Sequence, residues 1–72
     1  MEEIFMSNFS ENLRYYRRER NFTQVALGEK IKTGYTLISM LESGRIKPNS
    51  ETIEALAKAL DIPITKLLQN SN

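Results

Sequence analysis

Apolar residues recur along this chain at three- and four-residue spacings, and the alternation that marks β-strands is almost absent. That period predicts an all-α chain, cut by polar, glycine and proline punctuation into five short helices. The first runs from about Asn8 to Arg20. Phe9, Leu13 and Tyr16 fall at i, i+4 and i+7 on one stripe, with Arg14, Arg17 and Arg18 off it. Asn8 followed by Glu11 fits a capping box, with Ser7 as an alternative cap, and Asn21 can take the left-handed conformation that ends such a helix.

The second helix starts at the N-cap Thr23 and reaches about Ile31, with Ala26, Leu27 and Ile31 inward. A connection of Lys32-Thr33-Gly34 leads to the third, Tyr35 to about Ser43, whose inward residues are Ile38 and Leu41. Gly44 stands where a helix end wants positive φ, and Arg45-Ile46-Lys47-Pro48 forms a basic loop that proline stops. The fourth extends from a cap at Asn49 to about Leu60, on Ile53, Leu56, Ala57 and Leu60. The fifth follows Pro63 and covers Ile64 to about Gln69. Residues 1–7 form an extension, 8–69 one domain, and 70–72 a polar tail that frays. In the extension Ile4, Phe5 and Met6 are apolar, placed either beside the fifth helix or on a dimer surface.

The 72 residues suffice for one domain with a small core. Cysteine and histidine are both absent, which removes thiolate and imidazole metal ligands and the commonest general base. With no carboxylate pair placed for acid–base work, the chain reads as neither an enzyme nor a metal or cofactor protein, and no pocket-forming set of residues implies a small ligand. No apolar run approaches the ~20 residues of a membrane span, and Glu2 and Glu3 oppose a signal peptide. The expected location is cytoplasmic. The net charge of +1 hides a division by position: Arg14 to Lys47 carries an excess of +5, flanked by segments of −3 and −1. A near-neutral chain can thus present one positive face to phosphates.

Two helices of about two turns joined by three residues, Thr23 to Ser43, form a helix-turn-helix unit. The short turn holds the second helix steeply across the first, so that it projects far enough to enter a major groove. The ordered string Phe22-Thr23-Gln24, Leu27, Glu29-Lys30-Ile31, Ile38-Ser39, Leu41-Glu42, Gly44 and Pro48 belongs to this unit and its flank. It continues in Glu51-Thr52-Ile53, Leu56 to Leu60, Ile62-Pro63 and Leu67. On these residues the chain resembles the Xre/Cro/phage-repressor family from about residue 9 to 69.

The resemblance implies a compact five-helix lambda-repressor-like DNA-binding domain with the helix-turn-helix at helices 2–3. It implies a transcriptional regulator that binds a pseudo-palindromic double-stranded operator as a homodimer, with half-site centres about 10 bp or a multiple apart. Helix 3 would face base edges through Tyr35, Thr36, Leu37 and Met40. Phosphates would be held by Thr23, Gln24, Ser43, Arg45 and Lys47, and Arg17 with Glu42 would form an internal salt bridge. The family usually has glycine where Lys32 stands, and a non-glycine residue at positive φ costs about 1 kcal/mol; a phosphate or base contact by Lys32 would compensate. It usually has a hydroxyl-bearing cap at Gly34 and alanine at Gly28, so Gly28 reads as a loss of helix propensity.

No arginine, asparagine or glutamine lies between Tyr35 and Met40, so bidentate readout of guanine or adenine is unsupported there. Apolar and methyl-bearing side chains suit the thymine methyl, which points to A·T-rich half-sites read partly through DNA shape. Leu37 and Met40 have a second reading, as packing under helix 4 or in a partner interface. Arg14, Arg18 and Arg20 read as a solvated face. Ile64, Leu67 and Leu68 are the candidate dimer surface, although one or two of them must close the core. The alternative function is a protein–protein interaction module, or an antitoxin-type partner-binding protein, that retains the same fold.

Overall fold

The computed structural model describes residues 2–69, with side chains for residues 8–69. Five helices follow in order: α1 Glu2–Glu19, α2 Gln24–Lys30, α3 Tyr35–Glu42, α4 Ser50–Leu60 and α5 Ile64–Leu68. The first of these starts earlier than the capping signal at Asn8 suggested. Nothing between Glu2 and Asn8 interrupts a helix, and extending one that already exists gains a hydrogen bond for each residue fixed. Asn8 is accordingly a buried helix-interior residue rather than a cap. The expected placements of Ile4, Phe5 and Met6, and of the tail 70–72, lie outside the described side chains.

One core joins all five helices: Phe9 and Leu13 from α1, Leu27 from α2, Ile38 and Leu41 from α3, Leu56, Ala57 and Leu60 from α4, and Leu67 from α5. Tyr16, Phe22, Ile31, Leu37, Ile46 and Ile53 close its edges. Leu67 is fully buried, which removes it from the candidate dimer surface. Ile64 and Leu68 share one side of this five-residue helix with Leu67 but stay at its exposed margin, 38% and 42% exposed.

Side chains tie the helices where apolar packing leaves the angle free. Ser10 Oγ donates to the Leu41 carbonyl at 2.7 Å, linking α1 to the end of α3. Asn12 donates to the carbonyls of Leu67 and Gln69, securing the end of α5. Arg20 was expected in a solvated face. It is exposed, and it also ties the fold: its Nε donates to the Leu60 carbonyl at 2.7 Å and Nη2 to that of Asp61, closing the end of α4. Among the described residues no buried side-chain nitrogen or oxygen lacks a hydrogen-bond partner.

The first four helices all end in the same way. The N–H of the residue just after each helix's left-handed turn residue reaches back to a carbonyl five residues earlier: Phe22 to Arg17, Thr33 to Gly28, Arg45 to Met40 and Ile62 to Ala57. Each motif turns on one left-handed residue: Asn21 (φ 62°), Lys32 (φ 64°), Gly44 (φ 78°) and Asp61 (φ 58°). Lys32 carries the least suitable side chain of the four, lacking the short polar group that lets asparagine and aspartate settle there. We expect Lys32→Gly to raise stability by about 1 kcal/mol, read as a higher urea midpoint at unchanged slope.

Candidate nucleic-acid interface

The helix-turn-helix is built by local chemistry at each end of its two helices. Thr23 Oγ1 accepts from the Ala26 N–H at 2.9 Å and starts α2, while Gly34 starts α3 from an extended backbone without a side-chain bond. The turn is tight enough that Gly28 lies against it. A Cβ at Gly28 would stand 2.9 Å from the Gly34 carbonyl carbon and oxygen and 3.2 Å from the Thr33 oxygen. Glycine is required here by close approach, a role its sequence reading as lost helix propensity did not contain.

On α3 the buried arc is Ile38, Leu41 and Glu42, with half-buried Leu37 at its edge. Leu37 packs against the core, which favours its second reading. The opposite arc, at 100° per residue, is centred on exposed Thr36 and Ser43 and flanked by half-buried Ser39 and Met40, with Tyr35 56% exposed at its N-terminal edge. Ser39 was not among the sequence candidates, although it stands three residues after Thr36 and four after Tyr35 on the outward face. Ser43 caps its own helix end, Oγ donating to the Met40 carbonyl at 3.1 Å. Lys32 precedes this face, and Arg45 and Lys47 follow it; all three are exposed.

Behind the face lies a charged pair that the fold buries. Glu42 accepts from both Nε and Nη2 of Arg17, the second at 3.1 Å, and Arg17 Nη1 donates to the Phe22 carbonyl at 2.8 Å. The guanidinium is thus held by two anchors, and α1 is pinned to the last turn of α3. Gln24 was placed on a phosphate by resemblance alone; here its Nε2 donates to Glu42 Oε1 at 3.2 Å, so the amide is already fixed from within. The phenol of Tyr15 on α1 has a raised pKa, first because the Glu19 carboxylate repels a phenolate and next because it hydrogen-bonds to Glu19. Tyr15 therefore stays neutral at physiological pH. Among the described residues no group of three or more acidic, histidine or cysteine side chains could hold a metal ion.

Residues 10–72 match a family described as "Helix-turn-helix domain". Among curated proteins, the chain is 37% identical over 60 residues to the HTH-type transcriptional activator BcrR of Enterococcus faecalis, covering 83% of this chain and 29% of that one. It is 33% identical to the immunity repressor protein of Bacillus phage phi105, over 81% of this chain and 40% of the relative. The cryptic phage CTXphi transcriptional repressor RstR of Vibrio cholerae is 35% identical, with coverages of 88% and 57%. The chain therefore spans between 29% and 57% of the length of these relatives. In fold it superposes on a crystal structure of the hypothetical transcription factor NHTF from Neisseria with a TM-score of 0.87. That match covers 92% of this chain and 76% of the other at 24% identity.

Proposed function

This chain belongs to the helix-turn-helix family of Xre and phage-repressor type, and from that premise we propose that it is a sequence-specific, double-stranded-DNA-binding transcriptional regulator. α3 enters the major groove, Tyr35, Thr36 and Met40 meet base edges, and Ser39 joins them from the same arc. Thr23, Gln24, Lys32, Ser43, Arg45 and Lys47 hold the phosphates on either side. Two copies bind a pseudo-palindromic operator, since one such helix spans too few base pairs for useful affinity. Ile64 and Leu68 are the exposed apolar residues of α5 that a second copy would cover. A regulator of this kind works in the cytoplasm, beside the DNA.

The observation that carries this reading is the composition of the outward arc of α3. It is uncharged, with methyl groups on Thr36 and Met40 and small hydroxyls on Ser39 and Ser43, while Lys32, Arg45 and Lys47 stand exposed at its two ends. Such an arc reads bases by contact with thymine methyls and by DNA shape, and its cations grip the backbone.

Selection from random duplexes, followed by titration of the winners against salt, tests the proposal. The expected outcome is an A·T-rich inverted repeat whose affinity falls steeply with salt and drops when Tyr35, Thr36 or Met40 becomes alanine. G·C-rich winners would overturn the readout by methyl contact. No enriched motif, with binding lost by physiological salt, would overturn the DNA reading in favour of a protein partner for the same fold.

A further inference from the structure

The Glu42 carboxylate gathers more partners than a brace between two helices requires. Arg17 alone neutralises it, donating to both of its oxygens. Oε1 nevertheless also accepts from Gln24 Nε2 at 3.2 Å and lies 3.7 Å from Arg14 Nε. These two partners come from different elements, α1 and the first residue of α2. Both reach towards solvent: the Arg14 side chain is 56% exposed against 2% for that of Glu42, and Gln24 is half-buried.

We propose that Arg14 and Gln24 form a two-sided clamp for one DNA-backbone phosphodiester, with Glu42 as the positioning residue beneath both. The proposal rests on the DNA-binding reading above and adds Arg14 to it. A primary amide has two N–H donors. Committing one to Glu42 fixes the amide plane and leaves the second for an outside acceptor. Arg14 meets the carboxylate through Nε, which leaves the N–H groups of its two terminal nitrogens for the same acceptor. Arg14, Arg17 and Glu42 together carry one net positive charge, matched to a monoanionic phosphodiester. The single charge of Arg14 supplies the attraction, and the neutral Gln24 supplies direction.

That division of labour is measurable. Arg14→Gln, Arg14→Lys, Gln24→Ala and the double variant Arg14→Gln/Gln24→Ala are titrated, as full chains, with a selected and a random duplex across a salt series. We expect Arg14→Gln to weaken binding to both duplexes by the same factor, about fivefold to tenfold, and to make the salt slope shallower by about 1. Arg14→Lys keeps the slope. Gln24→Ala weakens binding and leaves the slope alone, and the double variant loses less than the product of the two single losses because both groups hold one phosphate. Arg14 is exposed and its ion pair is long, so the melting temperature of Arg14→Gln serves as the folding control and stays put. Unchanged affinity and slope in Arg14→Gln, against a wild type that binds, would overturn the clamp and spare the DNA reading. An equal loss in Arg18→Gln, one turn further along α1, would reduce the effect to general electrostatics and also overturn it. A wild type that binds no duplex at all would overturn both.

Discussion

Replacing Glu42 by alanine is expected to cost the domain about 3–5 kcal/mol, a large share of what a chain of this length has to lose. At ~0.05–0.15 kcal/mol per residue its total stability is about 4–11 kcal/mol. The cost arises mainly from what stays behind. Arg17 and Glu42 are each buried to within a tenth of full coverage, and removing the carboxylate leaves the guanidinium desolvated, with the Phe22 carbonyl as its remaining partner. Glutamine at the same position keeps an acceptor without the charge, and its loss should be about half as large. Urea unfolding of the two variants measures both. The pair is not a large net source of stability, since an apolar pair of similar volume often does as well. Arg17→Met combined with Glu42→Leu should therefore recover most of the midpoint while leaving Gln24 without its anchor, so stability returns and DNA affinity does not. A loss under about 1 kcal/mol for Glu42→Ala would mean that water reaches the pair.

Which features could be read in advance follows from how far each signal reaches along the chain. The caps Thr23 and Asn49, the stop at Gly44 and the start after Pro63 act over three or four residues, and the bounds of α2 to α5 fall within a residue or so of them. Core positions such as Leu13, Leu27, Ile38 and Leu60 lie at the centres of their apolar stripes, where any reasonable helix angle buries them. Residues at the edges of stripes are different. Leu37 stands at the margin of the buried arc of α3, and only the packing of α3 against its neighbours decides that it joins the core. Leu67, Ile64 and Leu68 compete for one inward place, and their spacing alone could not rank them. Arg20 and Gln24 find partners 40 and 18 residues away, at Leu60 and Glu42, distances at which no local pattern operates. The left-handed turn at Asp61 carried a usable signal: a short polar residue after the last apolar position of α4.

Gly28→Ala, a change that normally strengthens a helix, is expected here to weaken both the fold and DNA binding. In a free helix the alanine would gain about 1 kcal/mol. At this position the added methyl meets backbone atoms of Gly34 at 2.9 Å and of Thr33 at 3.2 Å. Neither can rotate away as a side chain would, so the turn itself must move. Overpacking of this kind costs about 1–3 kcal/mol, which at least cancels the propensity gain and leaves a net loss of up to about 2 kcal/mol by difference. The direction of movement matters more than the amount. Thr33 N–H bonds the Gly28 carbonyl at 2.7 Å, and Gly34 is the N-cap of α3, so relief of the clash shifts the start of α3 relative to α2. Tyr35 and Thr36 are the first two residues beyond that cap, and a base-edge contact tolerates little displacement. Affinity for the selected operator should therefore fall further than affinity for random duplex, in contrast to Arg14→Gln, which lowers both alike. If Gly28→Ala melts higher than the parent and keeps its preference for the operator, the turn has slack that allows the methyl in, and α3 is not held by contact at Gly28.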